Sequence, residues 1–483
     1  MSALAIKPTA HVVDVLGNVI GRDQPILRME KAIEMVALLG KEVFADDNVV
    51  FFDPFCKAGE LLLACAFHSC WVKSIGQATL LDMDMVFKEI YESNRYFGLA
   101  PDERHHRLSI RTFLGNIHSH DENFSHIIRD GHYLSEEDGT LDKEKFEREF
   151  DSMIEYISAK AKNKKIIAVG NPPYQESDGG FGASATMIYP YFAEGLIDNN
   201  DIFEFMLVIP SRWFSGGKNL DRFRERMMTS NQIKTIRYFE RSEEVFPTVQ
   251  IKGGVCYLQW SDSYNGKPEF NYGNANGTQI DLEKFDVIPD DPQSPSIILK
   301  VLDQSDEFVS AIAWSGKPFG LRTFYFKRND SAQRENKNTV KCYSTGRVIY
   351  NIDRNLIAKN QDKIDQYKVV APRAYGKGMS RCTLPVDQIF LLGKGEISTE
   401  TYNVIGCFKT KSEAESFQTY LQTDFARYLL GLRKLTQDIP KDRWNWVPLL
   451  DLNTEWTDKK LAKHFGLTEK EQEHIKKKVQ EWS

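Results

Sequence analysis

The stretch NVVFFDPFCKAGELLLACAFHSCWVKS, residues 48–74, decides the fold. Its opening run NVVFFD is continuously apolar before the aspartate, as is typical of a strand buried on both faces of a parallel sheet. Pro54 ends the run, a turn containing Gly59 follows, and the remaining residues favour a helix. The segment ATLLDMD, residues 78–84, predicts the next strand. The pattern of strand, turn, helix and strand indicates the first half of a doubly wound α/β nucleotide-binding fold.

Later segments continue the alternation. Apolar runs predict further strands, and the predicted helices lie between them. The runs are LSIRTFLGN, KKIIAVGN, FEFMLVIPS, IKTIRYF and GGVCYLQW. After ATLLDMD, the segment VFKEIYESNRYFG predicts a helix. The charged segment 118–165 contains a second amphipathic helix, and we interpret this segment as an insertion that covers the sheet edge. The apolar residues on one face of that helix are Phe146, Phe150, Met153, Ile154 and Ile157.

Three prolines among polar residues in IPDDPQSPS, residues 288–296, mark the best candidate for a domain boundary. We therefore expect a catalytic domain at 1–290, which includes the insertion, and a second domain at 291–445. The second domain has strand-like aromatic and basic segments: GLRTFYFKR, RVIYNI and YKVVAPR. A helical tail at 446–483 follows, in which Thr468 and Glu471 form a capping box.

The composition is that of a soluble globular protein. Of 483 residues, 41% are hydrophobic and 27% are charged. No apolar run approaches the roughly 18–20 residues of a membrane span, and the N-terminus lacks a signal-peptide pattern. We expect a cytoplasmic protein without a membrane partner. The odd number of scattered cysteines, 7, fits reduced thiols, and no metal site is expected.

The tetrapeptide Asn171-Pro172-Pro173-Tyr174 directly follows the apolar run IIAVG. Open α/β sheets bind ligands at the carboxyl ends of their strands, where this turn would lie. Two prolines fix a rigid turn without N–H groups, so carbonyl oxygens and the asparagine side chain form an acceptor-rich edge. Such an edge suits an amino group on an aromatic ring, because two acceptors that hold its hydrogens favour a pyramidal nitrogen whose lone pair can attack. The tyrosine offers a stacking face for a planar base, although a plain strand-to-helix turn is the alternative.

Three further segments carry weaker signals. In DPFCKAGE, residues 53–60, Gly59 lets backbone N–H groups approach a ligand, and the helix start behind it favours a carboxylate. The aspartate of this segment could instead cap the helix. In LLDMD, either Asp82 or Asp84 is placed to bind both hydroxyls of a ribose. Asn116 ends the predicted strand LSIRTFLGN, where its amide could contact an adenine edge.

The motifs DPFCKAGE, LLDMD, FLGN and GNPPYQ occur in this order, and the chain resembles the S-adenosylmethionine-dependent adenine-N6 DNA methyltransferases of the gamma arrangement, found in bacterial and phage restriction–modification systems. Longer blocks extend the resemblance from about Ile26 to the C-terminus. They are GGFGASATMIYPYF, LVIPSRWFSGGKNLDRFRERM, VFPTVQIKGGVCYLQW, ETYNVIGCF and LTQDIPKDRWNWVPLLDL. The resemblance implies a Rossmann-like methyltransferase sheet with a C-terminal α+β target-recognition domain. It also implies that S-adenosylmethionine methylates the N6 amine of an adenine flipped out of double-stranded DNA.

The resemblance assigns roles to individual residues. The first turn would hold the methionine end of the cofactor, Asp82 its ribose and Asn116 its adenine. The implied cofactor-binding residues are Asp53, Phe55, Lys57, Gly59, Asp82 and Asn116. The target amine would be held by the second turn, and its base would stack between two rings. The implied catalytic and stacking residues are Asn171, Pro172, Pro173, Tyr174 and Phe246. A buried aromatic at a strand end is the other interpretation of Phe246.

Lys57 departs from the pattern, because the family usually carries a second glycine there. The lysine would reach the cofactor carboxylate or DNA, or it would weaken cofactor binding. Two alternative functions remain open. In the first, the chain is a methyltransferase that acts on RNA bases or on a protein glutamine, substrates with which this tetrapeptide also occurs. In the second, it is a catalytically idle methyltransferase-like protein that binds DNA.

Charge is unevenly distributed along the chain. The net charge of -6 alone argues mildly against a nucleic-acid partner. However, residues 311–381 contain 15 Lys and Arg against 5 Asp and Glu, a local +10, so the rest carries -16. The acidic average therefore does not argue against nucleic acid, and double-stranded DNA, which the resemblance implies, is the expected partner of the second domain. A separate restriction endonuclease subunit is a further possible partner. The candidate DNA-binding residues of the second domain are Arg322, Lys327, Arg328, Arg347, Arg373, Lys377 and Arg381.

Overall fold

The structure, a computed structural model, describes most of the chain from residue 26 onward. The described ranges are 26–75, 83–114, 126–128, 133–135, 140–162, 164–176, 186–217, 219–251, 253–273, 275, 277–314, 316–326, 335–376, 382–434 and 437–483. The chain divides into two compact units, Met1–Ile288 and Pro289–Ser483. In the described part of the chain, no helix combines the length and apolar character needed to cross a membrane.

The first unit alternates helices and strands. Its helices are α1 (Met29–Val36), α2 (Lys41–Ala45), α3 (Glu60–Ser74), α4 (Met83–Glu92), α5 (Glu103–Leu114), α6 (Lys143–Lys160), α7 (Tyr189–Asp198) and α8 (Asp221–Thr229). Its strands are β1 (Val49–Asp53), β2 (Tyr96–Leu99), β3 (Ile127–Ile128), β4 (Lys165–Gly170), β5 (Ile202–Pro210), β6 (Ile233–Phe239), β7 (Val255–Ser261), β8 (Glu269–Tyr272) and β9 (Thr278–Gln279).

Within the described residues these strands form one nine-stranded sheet in the order β3-β2-β1-β4-β5-β7-β6-β8-β9. The first five strands in this order are parallel to their neighbours. Strand β7 is antiparallel to both β5 and β6, between which it lies. Every residue of β1 is buried, as its apolar run requires for a strand at the centre of the sheet. The predicted doubly wound α/β sheet is confirmed.

Helix α6 carries the predicted apolar face, and all five of its predicted apolar residues are buried. The ring centroid of Phe150 lies 5.7 Å from that of Phe52 in the interior strand β1, so the helix packs on a face of the sheet. The interpretation of an insertion over the sheet edge is therefore wrong. The helix lies in the crossover from β3 to the parallel strand β4, and an apolar stripe of this width requires a sheet face to bury it.

Two predicted elements differ from the structure. The segment LSIRTFLGN was expected to be a strand, but residues up to Leu114 belong to helix α5. Local contacts explain the helix, since Asp102 accepts a hydrogen bond from the His105 backbone N–H at 2.8 Å and Glu103 pairs with Arg107 at 2.7 Å. The predicted helix VFKEIYESNRYFG ends at Glu92, and its last aromatic residues form the buried strand β2.

The second unit is an α+β structure. Its helices are α9 (Ser294–Leu302), α10 (Lys411–Leu421), α11 (Asp424–Arg433), α12 (Asp458–His464) and α13 (Glu469–Trp482). Its strands are β10 (Thr339–Tyr343), β11 (Ile349–Asp353), β12 (Tyr367–Pro372), β13 (Phe390–Leu392), β14 (Glu396–Ser398) and β15 (Tyr402–Phe408). In the described residues the strands form two three-stranded sheets, β11-β10-β14 and β13-β12-β15.

Local sequence rules explain parts of this unit. The predicted capping box at the start of α13 is present: Thr468 caps the Glu471 backbone N–H, and the Glu471 carboxylate accepts from the Thr468 N–H. The strand-like segments RVIYNI and YKVVAPR contribute β11 and β12. The segment GLRTFYFKR does not form the expected strand over its described residues: 320–322 are irregular, 323–324 form a turn, and 325–326 are helical.

Candidate active site

The candidate site lies at the carboxyl ends of two neighbouring strands. Strands β1 and β4 are parallel and in direct register, with Phe52 opposite Ala168. The order of the sheet reverses between them, because β2 and β3 lie beyond β1 while β5 lies beyond β4. Open α/β sheets bind ligands at such a reversal. The turns that follow β1 and β4 are DPFCKAGE and NPPY, so the topology brings the two strongest motifs together.

Contacts within the first turn, residues 53–60, define its conformation. The Asp53 carboxylate accepts a hydrogen bond from the Phe55 N–H at 2.9 Å. Gly59 has a left-handed conformation with φ of 75°, and helix α3 begins at the next residue, Glu60. The first N–H groups of α3 therefore lie directly behind the turn, where they favour an anionic ligand group.

Three ionisable side chains are buried in this turn, since Asp53, Lys57 and Glu60 are only 2%, 4% and 7% exposed. Burial raises the pKa of Asp53 well above its ordinary value, and the nearby Glu60 carboxylate adds to the rise. Burial lowers the pKa of Lys57 to about 8, although both carboxylates oppose that fall. Burial also raises the pKa of Glu60. Desolvation therefore outweighs the attraction between these opposite charges, and a ligand with complementary charges would offset part of the cost.

Glu60 is a candidate site residue to which the sequence motifs gave no role. Its Oε1 atom accepts a hydrogen bond from the Leu27 N–H at 3.3 Å. Its Oε2 atom is buried and has no hydrogen-bond partner among the described residues. A buried acceptor without a partner favours a ligand that donates a hydrogen bond. The available signal was its position at the helix start, immediately after the turn glycine.

Phe55 joins the two turns by direct packing. Gly170 precedes the second turn, and a Cβ atom at this glycine would lie only 2.7 Å from Cδ2 of Phe55. The ring of Phe55 also packs edge-on against Phe192 at 5.1 Å and against Tyr133 at 6.1 Å. The Tyr133 hydroxyl donates a hydrogen bond to the Pro54 carbonyl at 2.9 Å. The second turn thus rests on the first, with aromatic rings around the contact.

The second turn is NPPY, and it is partly enclosed. Asn171 is 2% exposed and Pro172 is buried, whereas Pro173 and Tyr174 are partly buried. The Tyr174 carbonyl accepts a hydrogen bond from the Ile188 N–H at 3.1 Å, which ties the end of the turn to the start of α7. Burial between a strand and a proline turn restricts the orientations of the Asn171 amide, which favours recognition of a specific hydrogen-bonding group.

Tyr174 and Phe246, the two expected stacking rings, contact each other. Their centroids are 6.5 Å apart and their planes are inclined at 68°, an edge-to-face arrangement. Phe246 is 1% exposed. The Tyr174 hydroxyl is buried without a hydrogen-bond partner among the described residues, and burial raises the pKa of this phenol. The structure therefore brings the two rings together at the second turn, but their planes are inclined and do not stack in parallel.

The residues expected to contact a ribose and a cofactor adenine are described only in part. Asp82 and Asn116 lie outside the described residues. Asp84 is not at a strand end as expected, because it is an exposed residue in the first turn of helix α4. Of the motif FLGN, Phe113 and Leu114 belong to helix α5 and not to a strand, and residues 115 and 116 lie outside the described residues.

The candidate DNA-binding residues are only partly described. Lys327, Arg328, Lys377 and Arg381 lie outside the described residues. The other three candidates are exposed in the second unit. The Arg322 guanidinium lies 5.9 Å from the Phe324 ring centroid, and that of Arg347 lies 4.4 Å from the Phe390 ring centroid. Arg373 lies 3.6 Å from a Glu400 carboxylate oxygen.

Comparisons with known proteins find similarity to restriction–modification proteins. A curated protein of Mycoplasma pneumoniae, described as an uncharacterized adenine-specific methylase, is 33% identical over 124 residues. That match covers 24% of this chain and 29% of the relative, so the chain spans less than a third of the length of the curated relative it matches.

Two solved structures illustrate the structural similarity. One is a nuclease-deletion mutant of the Type ISP restriction-modification enzyme LlaGI in complex with a DNA substrate mimic, with a TM-score of 0.45 and 10% identity over 88% of this chain and 46% of that chain. The other is the Type IIL restriction-modification enzyme MmeI in complex with DNA, with a TM-score of 0.42 and 10% identity over 90% of this chain and 66% of that chain. Finally, residues 94–246, which include the whole second turn and end at Phe246, match the family model described as Eco57I restriction-modification methylase.

Proposed function

We propose that this chain is an adenine-specific DNA methyltransferase of the gamma arrangement that belongs to a restriction–modification or phage-defence system. The observation that carries the proposal is the packing of the second turn on the first at the reversal point of the sheet, with Gly170 against Phe55. One turn offers a buried amide followed by two prolines, and the other offers buried charges at a helix start. The match to the Eco57I restriction-modification methylase family and the adenine-specific methylase relative support the same activity.

The second turn would hold the target amine. In this proposal the side-chain oxygen of Asn171 and the carbonyl of Pro172 accept the two N6 hydrogens of a flipped adenine. Holding both hydrogens favours a pyramidal nitrogen whose lone pair points away from the ring plane. The rigid turn fixes that direction before the base arrives, which lowers the entropy cost of reaching the reactive geometry. The rings of Tyr174 and Phe246 must separate from their edge-to-face contact for the base to stack between them.

The first turn fits the methionine end of S-adenosylmethionine. The buried carboxylates of Asp53 and Glu60 suit an ammonium group, and the free Oε2 acceptor of Glu60 supports this fit. The Lys57 ammonium, also buried, suits the cofactor carboxylate. The cofactor supplies an activated methyl group on a sulfonium. Asp82 and Asn116 are proposed to hold its ribose and adenine, as the resemblance implies.

The second unit is proposed to recognise DNA. We assign residues 1–290 to catalysis, 291–445 to target recognition and 446–483 to a helical tail, with a separate restriction endonuclease subunit as a possible partner. The local charge of +10 over residues 311–381 supports DNA binding, since Lys and Arg neutralise phosphates. The exposed Arg322, Arg347 and Arg373 are the described candidates for these contacts.

The test combines cofactor binding with methyl transfer. In the Asn171→Ala variant we expect unchanged binding of S-adenosylmethionine by calorimetry, and loss of labelled methyl transfer to duplex DNA containing varied sequences. Asn200→Ala provides a matched control, because Asn200 is exposed in the loop before β5. Undiminished methylation by the Asn171 variant would overturn the assignment.

The same assay separates the alternatives. Parallel reactions contain RNA or protein in place of DNA. If the methylated group belongs to an RNA base or to a protein glutamine, the label will appear in that substrate and not in DNA. Binding of DNA without methyl transfer to any substrate would indicate a catalytically idle protein. Either result would contradict the proposed function.

A further inference from the structure

A buried lysine and a buried cysteine lie in direct contact in the second unit. Lys434 follows helix α11 and is 1% exposed, and Cys382 is 3% exposed. The Nζ atom of Lys434 lies 2.7 Å from the Sγ atom of Cys382. It also donates a hydrogen bond to the Tyr375 carbonyl at 2.9 Å. Neither residue has a role in the proposed methyl transfer, so the contact calls for a separate explanation.

The nitrogen–sulfur distance is short for a hydrogen bond. An N–H···O bond spans about 2.9 Å, and the larger radius of sulfur should lengthen the corresponding bond to a thiol. At 2.7 Å the two atoms are closer than separate side chains normally approach. One oxygen atom bonded to both would hold nitrogen and sulfur at such a separation.

The surrounding backbone holds the thiol in place. Gly376 has a positive φ of 82°, and a Cβ atom there would lie 2.0 Å from Cys382 Sγ. The Tyr375 carbonyl lies 3.7 Å from the same sulfur. The chain therefore passes directly over the thiol and presents it to the lysine, so the pair is oriented before any reaction.

The electrostatics of the contact favour a neutral bond. The partners that the structure gives to Nζ are a carbonyl oxygen and a thiol sulfur, neither of which is a carboxylate. Burial of an ammonium beside such partners is costly. A covalent bond at this nitrogen would remove the charge from the interior, and within the described part of the chain it would break no ion pair between Lys434 and a carboxylate.

We propose that Cys382 and Lys434 are a modification site, at which dioxygen joins the two side chains through a nitrogen–oxygen–sulfur bridge. The thiol loses its hydrogen and the amine loses one. One oxygen atom forms new bonds to nitrogen and sulfur, and the other leaves as water with both hydrogens. Sulfur and nitrogen are each oxidised by two electrons, and dioxygen takes up all four. Two equivalents of a dithiol reductant reverse the change: they supply four electrons and become disulfides, the bridging oxygen leaves as water, and the free thiol and amine return.

The bridge would connect positions that are 52 residues apart in the chain. A cross-link of this span restricts the unfolded chain, as a disulfide does. The oxidised protein should therefore unfold at a higher temperature than the reduced protein, and the difference should be confined to the transition of the second unit.

Mass spectrometry of the full chain tests the bridge. Protein exposed to air should be about 14 Da heavier than protein kept anaerobically with dithiothreitol, since one oxygen is gained and two hydrogens are lost. A tryptic digest should contain one cross-linked peptide with both residues, and no cleavage after Lys434. Cys407→Ser is the matched control, because the Cys407 thiol contacts the Gln366 amide oxygen at 3.1 Å, so this variant should still form the bridge. Cys382→Ser and Lys434→Met should not form it.

The peptide map of the wild-type protein decides the question even where a variant fails to fold. Free Cys382 and free Lys434 after exposure to air would overturn the proposal. Oxygen found on Cys382 alone, as a sulfenic or sulfinic acid, would also overturn it. A cross-linked peptide that dithiothreitol converts back to its two parts would establish it.

Discussion

Replacement of the buried Lys57 by methionine is expected to stabilise the first unit at neutral pH. Methionine has a similar length but no charge, so it avoids the desolvation of an ammonium. The fall of the Lys57 pKa from its ordinary 10.5 to about 8 corresponds to about 3 kcal/mol of destabilisation in the charged form. This fall is already net of the attraction of the lysine to Asp53 and Glu60, which opposes it. We therefore expect a gain of up to about 3 kcal/mol.

The pH dependence gives this prediction a distinctive form. The pKa of Lys57 is lower in the folded state than in the unfolded state, so below about pH 8 both states are protonated and the full cost applies. Between pH 8 and 10.5 the folded state loses its proton first, and the wild type recovers stability. The advantage of the methionine variant should therefore be largest at pH 7 and should decrease through this window.

Differential scanning calorimetry at pH 7, 8 and 9 measures the effect. A unit of this size shifts its Tm by about 2–4 °C per kcal/mol, so a rise of several degrees is expected at pH 7. Lys88→Met is the control, because the Lys88 side chain is 70% exposed and its removal should change stability by less than about 0.5 kcal/mol. The variant should also bind S-adenosylmethionine more weakly. An unchanged or lower Tm at pH 7, or a difference that does not vary with pH, would refute the reasoning.

Three further predictions concern packing, acid stability and charge. Gly170→Ala should destabilise the first unit by about 1–3 kcal/mol and reduce methyl transfer, because the new Cβ atom would lie 2.7 Å from the Phe55 ring. Thermal unfolding measures the change in stability, and a variant as stable as the wild type would contradict the prediction. Burial alone would raise the pKa of Glu471, but hydrogen bonds from Lys300 and Ser296 lower it to about 2. The wild type should therefore lose stability as the pH falls from 4.5 towards 2. The Glu471→Gln variant should be less stable than the wild type at pH 6 but should lose less stability on acidification. Urea titrations at pH 3 and 6 measure both differences. Charge reversal at three exposed arginines should weaken DNA binding and reduce its salt dependence by about one unit of slope per lost phosphate contact, with cofactor affinity unchanged in calorimetry. These arginines are Arg322, Arg347 and Arg373.

The elements that could be predicted from sequence have one dominant local signal. Strands β1 and β4 each contain a run of four apolar residues, VVFF and IIAV, which is typical of a short strand buried on both faces. Helix α6 has an apolar residue every three or four positions, which fits one face of a helix. Over part of helix α5 the sequence pattern predicts a strand, because apolar residues alternate with polar ones for a few positions. There the capping residue Asp102 and the Glu103–Arg107 pair decide the structure.

The site could be predicted in part. The placement of Asn171 at a strand end follows from the sequence, because an apolar run precedes it and two prolines follow it. The contact of Gly170 with Phe55 could not be predicted, since the residues are more than a hundred positions apart and meet only through the pairing of β1 with β4. The burial of Lys57 also lies beyond a sequence rule, because a lysine in a turn is ordinarily solvated.

The packing of Phe55 against Gly170 has a thermodynamic consequence. The two turns share this contact, so a cofactor that shifts the first turn also changes the free energy of the second, where the target base would bind. Linkage requires the effect to be reciprocal: if cofactor raises the affinity for DNA by some factor, then DNA raises the affinity for cofactor by the same factor. The close approach of one aromatic ring to one glycine would thereby make the binding of two substrates cooperative.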